Sequence, residues 1–394
     1  MDKAEAGPPI YLDACATTPL RPGVQRRIQD LQNQAWGNPS SLHSYGLSAA
    51  EALERTRVEI GSLLDADADE ILITSGATES IHLGIRGLAS SLPPGRILIS
   101  AVEHPAVTAA AQALTPLGWE LAMAPVDSEG FIQLDRFEEL LRPPTRLVSV
   151  IWGQSEVGTL QPLKTIGALC QLHGIPFHTD ATQVISQALP DWNTLPVDLL
   201  TASAHKCGGP RGMGLLLVRR AWKQKLAALL TGGGQQNNLR SGTESTMLLA
   251  GMAEALSQIQ RSDVEGLPDS GNGIRGLRDQ LEVRLCRTAC IEAIGHPQQR
   301  LPHHLALLLR TPSGRPLSGR RMVRALDQQG LAVSSGSACS SGRNTDSSVL
   351  TAMGLPSEMR RSGIRLSLGF WNADHQIETI VERFERALQA CCDD

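Results

Sequence analysis

Leu199-Leu-Thr-Ala-Ser203-Ala-His205-Lys206-Cys-Gly-Gly-Pro-Arg-Gly-Met-Gly214 is the stretch that decides the fold of this chain. Residues 199–203 are apolar or small and read as a buried strand, which runs into a histidine, a lysine and a glycine-rich turn. Upstream, Pro176-Phe-His-Thr179 reads as a second buried strand and ends in Asp180-Ala-Thr-Gln183. Residues 70–74, 96–100 and 147–151 read as further strands, and residues 79–89, 106–117 and 163–173 as helices between them. Alternation of this kind predicts a mainly parallel sheet with helices on both faces. Such sheets bind ligands at the carboxyl ends of their strands. Ser75-Gly-Ala-Thr78, Glu103-His104, Asp180 and His205-Lys206 all fall there.

Farther along, a long helix is expected over 243–259, after the Gly232-Gly-Gly234 turn. Residues 261–273, rich in Gly, Ser, Asp and Pro, read as a boundary. Beyond it the pattern gives helix 277–288, strand 304–309 and helix 318–329. A short strand, a loop, strand 364–367 and a helix from about Asp374 follow. The expected organisation is an arm at 1–14 joining the small domain, a large domain over 15–262 and a small α+β domain over 263–394.

Bulk properties narrow the function. The chain has 394 residues, 41% hydrophobic and 19% charged, which suits a globular protein with a sizeable core. A net charge of -4 gives no support to binding nucleic acid or a membrane surface. No uncharged apolar run reaches the roughly eighteen residues of a membrane span. Residues 1–9 lack the apolar core of a signal peptide and read as a short disordered arm, so a cytoplasmic protein is expected. Eight cysteines without zinc spacing read as reduced thiols, with no metal site expected. Cys286 and Cys290 are expected on one helix, and Cys391-Cys392 as reactive surface thiols without a role.

The chemistry lies in the strand-end residues. Lys206 can hold an aldehyde cofactor as a Schiff base. Asp180 offers a carboxylate to a pyridinium nitrogen, and Gln183 an amide to a phenolic oxygen. The amides opening the helix at Ala77-Thr78, with the side chains of Thr78, Ser203 and His205, suit a phosphate. His104, with a near-neutral pKa, can stack on a ring and shuttle protons. Taken singly, Asp180 would be a helix cap and His104 a loop residue; together they read as a pyridoxal-phosphate site. Ser334-Ser-Gly-Ser-Ala-Cys339-Ser-Ser-Gly-Arg-Asn is a small-residue loop around one thiol, which suits a swinging nucleophile. Arg365 can clamp a carboxylate with its planar fork.

The chain resembles the cysteine desulfurases of the NifS/IscS type, within the class-V aminotransferase-like enzymes. The motifs run nearly end to end. They include Tyr11-Leu-Asp-Ala-Cys-Ala-Thr-Thr-Pro19, Gly37-Asn-Pro-Ser-Ser-Leu-His43, Thr74-Ser-Gly-Ala-Thr-Glu-Ser80, Arg240-Ser-Gly-Thr243 and Ile364-Arg-Leu-Ser-Leu-Gly369, besides those above. The resemblance implies the α/β architecture of the fold-type-I pyridoxal-phosphate transferases. That is a mainly parallel seven-stranded sheet in the large domain, plus the smaller α+β domain. It implies removal of sulfur from L-cysteine, giving L-alanine and a persulfide on Cys339. The sulfur then passes to an acceptor such as an iron–sulfur scaffold. Ser155 would contact the cofactor ring, Asn38 and Arg365 would hold the substrate, and Thr243 would reach the phosphate of a neighbouring subunit in a homodimer.

The chain departs from the family pattern at Ser155, where an asparagine is usual, and at Gly208, where an aromatic is common. Gln236-Asn237 replaces a Glu-Arg pair, and Phe370 an arginine. Other readings stay open: a cysteine or selenocysteine lyase or an aminotransferase of the same fold, a degenerate homologue that only binds partners, and a metal-binding protein.

Overall fold

The computed structural model describes residues 8–261, 273–335 and 346–392. In chain order the strands are β1 (Ile10–Tyr11), β2 (Ile71–Thr74), β3 (Arg96–Ser100), β4 (Glu120–Ala124) and β5 (Thr145–Ser149). They continue with β6 (Phe177–Asp180), β7 (Leu199–Ser203), β8 (Gly214–Val218), β9 (Ile291–Ile294) and β10 (His304–Leu309). The last are β11 (Leu331–Ala332), β12 (Ser334–Ser335) and β13 (Gly363–Ser367). The helices are α1 (Val24–Gln34), α2 (Ser44–Leu64), α3 (Ala77–His82), α4 (Pro105–Gln112), α5 (Leu134–Leu141) and α6 (Leu163–Leu172). After them come α7 (Arg220–Lys223), α8 (Thr246–Ser257), α9 (Ile274–Leu285), α10 (Gly319–Gln328), α11 (Ser348–Ala352) and α12 (Ile377–Cys392).

Seven strands form one sheet in the order β2-β8-β7-β6-β5-β3-β4. β8 runs antiparallel to both of its neighbours, and the remaining pairings are parallel. The expected mainly parallel α/β architecture is therefore present. Its apolar runs have a simple cause, since both faces are covered. Ile71, Ile73, Leu98, Val148, Phe177, Leu200, Leu215 and Leu217 pack in one cluster with residues of α1, α2, α6 and α8. Leu72, Ile97, Ile99, Leu147, Leu199, Leu216 and Val218 point the other way, onto α3 and α4. Successive side chains thus alternate between two dry layers, so neither face selects for polar residues.

A second, antiparallel sheet has the order β12-β13-β10-β9. Its strands, together with α9, α10 and α12, enclose a separate cluster that also takes in Ile10 and Leu12. β1 pairs in parallel with β11.

Several boundaries differ from expectation. Helix 79–89 is α3 continued through a π-turn at Leu83–Gly87. Helix 106–117 stops at Gln112 and resumes as a 3₁₀ turn over Thr115–Leu117, where Pro116 lacks the amide a continuing helix needs. Helix 277–288 ends at Leu285, so Cys286 is its C-cap and Cys290 lies outside the helix, just before β9. Cys391 is not a surface thiol: α12 turns it inward, 4% exposed, into the second cluster. The arm at 1–7 and the boundary at 262–272 lie outside the described residues. Among the described residues no helix is long and apolar enough to cross a membrane.

Candidate active site

The parallel strands deliver side chains to one edge of the large sheet. Asp180 ends β6, Ser203 ends β7, and Glu103-His104 follow β3. There Asp180, Ser203 and His104 line a cleft of about 660 Å³. Ala77, Thr78, His104, Ser155, Asp180, Gln183, Ser203, His205, Lys206 and Arg365 all line it. Close approach of two backbones completes the wall at α3. A Cβ on Gly214 would lie 2.6 Å from the Gly76 Cα, so only glycine lets the turn before α3 sit against the start of β8.

Beneath the cleft, His178 is fully buried and ties three strands together, 2.8 Å from Ser149 Oγ and 3.0 Å from Thr201 Oγ1. Burial lowers its pKa to about 4, leaving a neutral imidazole there. Asp180, 5% exposed, accepts the Thr182 amide at 3.0 Å. Gln183 Nε2 donates to the Cys15 carbonyl at 3.1 Å. The Lys206 ammonium donates to the carbonyls of Cys15 at 2.5 Å and Ala16 at 2.8 Å. His205 Nδ1 lies 3.1 Å from Thr17 Oγ1; burial, then the Lys206 and Arg211 charges, push its pKa down to about 4. His104 caps α4, its Nδ1 accepting the Ala106 amide at 3.1 Å.

Glu103 is buried behind the cleft. Its Oε1 accepts Ser100 Oγ at 2.6 Å and the Ile151 amide at 2.7 Å. Burial above all drives its pKa up to about 8. Arg365 on β13 is buried too, with 6% of its side chain exposed. Its Nη1 donates to the Ser155 carbonyl at 2.9 Å and its Nη2 to Asp13 Oδ1 at 2.7 Å. It is therefore a buried cation at the cleft wall and not a surface ion pair.

Ser155 meets its neighbours through its backbone: its carbonyl also lies 3.1 Å from His304 Nε2. The preceding Gln154 shapes that turn, its Oε1 accepting the amide of Val157 at 2.8 Å. Two expected residues are not brought to the cleft. Asn38 is exposed and its Oδ1 accepts the Ser40 amide at 2.9 Å, which closes the turn before α2. Thr243 is exposed on the loop before α8. Cys339 lies outside the described residues. Residues that sequence reasoning gave no role also line the cleft, among them Cys15, Thr17, Thr182 and Arg211. The motif 11–19 was the one signal that could have led to the first two.

Comparison with known proteins places the chain in a family. The family model for aminotransferase class-V matches residues 10–380. The chain is 38% identical over 379 residues to the cysteine desulfurase IscS of Methylobacillus flagellatus, covering 95% of this chain and 91% of that one. It is 36% identical over 377 residues to the mitochondrial cysteine desulfurase of Saccharomyces cerevisiae, covering 95% and 74% of the two chains. Among solved structures, a NifS-like protein superposes with a TM-score of 0.87 at 28% identity, covering 97% of this chain and all of the other. SspA in complex with cysteine gives 0.78 at 31% identity, covering 92% and 99%. The family match and the similar proteins span nearly the whole chain, and the chain belongs to the class-V aminotransferase family, among the cysteine desulfurases of the NifS/IscS type.

Proposed function

We propose that the protein is a pyridoxal-phosphate-dependent cysteine desulfurase. It removes sulfur from L-cysteine to give L-alanine and a Cys339 persulfide. The observation that carries this reading is the gathering of Lys206, Asp180, Gln183, Ser203, His205 and Arg365 around one cleft. The donor set fits the cofactor. Asp180 suits a ring nitrogen, Gln183 a phenolic oxygen, and Ala77, Thr78, Ser203 and His205 a phosphate, with His104 and Ser155 beside the ring. Thr182 Oγ1, also in the cleft lining, is buried without a hydrogen-bond partner in this structure, which suits a wall built to meet a polar ligand.

Bound there, the cofactor supplies an electron sink for charge at the substrate Cα. Lys206 Nζ, released from the two carbonyls it now contacts, takes the Cα proton. Arg365 holds the α-carboxylate. The Cys339 thiolate attacks the substrate sulfur: an S–S bond forms, the C–S bond breaks with its electron pair passing to Cβ, and protonation at Cβ, with the Cα proton returned from Lys206, yields alanine. The persulfide sulfur then goes to an acceptor protein such as an iron–sulfur scaffold.

The same reading takes residues 15–262 as the cofactor-binding domain, with 1–14 joining the small domain at 263–394. It takes the protein as a homodimer with Thr243, and Asn38 beside the substrate, acting at a shared site. In support, Trp36, Leu42, Tyr45 and Leu47 around Asn38 are more than half exposed, an apolar surface that a second copy would cover.

The test is incubation with pyridoxal phosphate, L-cysteine and a reductant, with alanine, pyruvate and sulfide measured together. Equal alanine and sulfide, lost in Lys206→Ala and Cys339→Ser, is the expected result. Pyruvate in place of alanine would make the protein a lyase, and no product at all a binding homologue.

A further inference from the structure

One short segment touches four polar side chains of the cleft: Gln183, His205, Lys206 and Arg365. Ser367 N donates to the Leu12 carbonyl at 2.7 Å and Ala14 N to the Ser367 carbonyl at 3.0 Å, so residues 12–14 run beside β13. That register sets Asp13 against Arg365. The next residues turn to the cofactor side, with the Cys15 and Ala16 carbonyls on Lys206 and Thr17 Oγ1 on His205. Tyr11 fixes the bend, its hydroxyl 3.0 Å from the carbonyls of both Asp13 and Thr17.

Arg365 is nearly buried, and a buried cation requires a partner. Of the two partners described above, Ser155 contributes a backbone oxygen that no side-chain change removes. Asp13 contributes a carboxylate, itself 18% exposed, on a backbone pinned at both sides. An arginine side chain is flexible, and a ligand must otherwise remove that rotamer freedom when it binds.

We propose that Asp13 is a positioning residue: it holds the Arg365 guanidinium at the cleft wall in the orientation that receives the α-carboxylate of the substrate. The inference rests on the reading of Arg365 as the carboxylate site. It makes the first strand segment part of substrate selection, favouring amines that carry a carboxylate. The opposite effect is physically reasonable, because one carboxylate on the guanidinium also competes with a second, and so the sign of the change decides the matter.

The experiment uses the pyridoxal-phosphate-loaded enzyme and two ligands: L-alanine, which carries the carboxylate, and cysteamine, which has amine and thiol without it. Calorimetry gives Kd for both, and steady-state assays give KM and kcat for L-cysteine. Asp13→Ala is expected to raise Kd for L-alanine and KM for L-cysteine by about tenfold, the effect of losing one hydrogen bond to a charged group. The kcat and the cysteamine Kd should stay near wild type. Asp13→Asn keeps an oxygen acceptor without the charge and should fall between, which also serves if the alanine variant does not fold. An unchanged or lower Kd for L-alanine would overturn the proposal, and so would an equal loss for cysteamine, the mark of general disruption. Arg365→Ala separates the levels. Affinity for L-alanine lost there but kept in Asp13→Ala removes Asp13 alone; affinity kept in Arg365→Ala removes both assignments.

Discussion

Gly208 stands where the family commonly has an aromatic, and Arg21 gives the reason. Gly208 has φ of +85°, and a Cβ there would lie 2.4 Å from the Arg21 Cγ. Arg21 donates its Nε to the Cys207 carbonyl at 2.8 Å, and its guanidinium lies 4.7 Å over the Phe370 ring. Two departures from the family pattern, Gly208 and Phe370, thus meet on one guanidinium. Arg21 fills the space a ring at 208 would need, and Phe370 supplies the face it stacks on. Gly208→Ala should lower stability by at least about 1–2 kcal/mol, the cost of a left-handed dihedral for a residue with a Cβ. On an Arg21→Ala background the clash vanishes but the dihedral cost remains, so a double-mutant cycle by denaturant unfolding should show partial relief only. Full additivity would mean that the two side chains do not share this space. Such a pairing is not legible in the sequence. Lys206 and Asp180 could be found because each follows a readable strand. Arg21 and Phe370, like Asp13 and Arg365, come from opposite ends of the chain, and nothing local connects them.

The same distinction holds for elements. β2, β3, β5 and β7 could be read because each is a short, mostly apolar run, and β6, Phe177–Asp180, because it follows the helix over 163–172 and leads into Asp180. β8, Gly214-Leu-Leu-Leu-Val218, is just as buried, but leucine favours helix as readily as strand and the run opens on a glycine turn. β4 is an edge strand with Glu120 exposed and only Ala124 buried, so it carries little apolar signal. α2 spreads its apolar residues around the helix, with Leu47 and Val58 exposed and Leu53 and Ile60 buried. The other edge of the sheet shows what a departure can do for an element. Gln236, in place of the usual acidic residue, accepts the Ile73 amide at 2.6 Å and donates to the Ile73 carbonyl at 2.8 Å. A side-chain amide has both a donor and an acceptor, so it pairs with the open edge of β2 as a neighbouring strand would; a carboxylate could serve only the amide. Gln236→Ala should cost about 1–2 kcal/mol through the two lost bonds, and Gln236→Glu about half as much. Equal unfolding midpoints for Gln236→Ala and wild type would show that the clasp contributes nothing.

At the scale of the whole molecule, the buried ionisable groups set the pH range in which the fold is most stable. Burial pushes the pKa of His178 and His205 down to about 4 and of His303 to about 3, and that of His304 well below its ordinary value. Below the ordinary histidine pKa of about 6.5, the unfolded chain takes up protons that these side chains refuse, so stability falls as pH drops from there. Burial acts the other way on Glu103 and Glu156, raising them to about 8 and about 7. Their contribution is complete below the ordinary carboxyl range, near pH 4.3, and is lost as pH rises towards those values. Where the windows overlap, four histidines outnumber two glutamates and stability climbs with pH. Above about pH 6.5 the histidine contribution is constant and only the glutamate loss continues. The thermal midpoint should therefore peak near pH 6.5 and decline on both sides. Glu103→Gln keeps the shape of a neutral carboxyl without its titration, so its alkaline decline should be shallower and level off sooner, once pH has passed the Glu156 pKa of about 7. A midpoint still rising between pH 7 and 8 in the wild type would show that Glu103 is ionised in the fold. The carboxyl joining Ser100 to Ile151 would then be a charged link across the strand ends and not a neutral one.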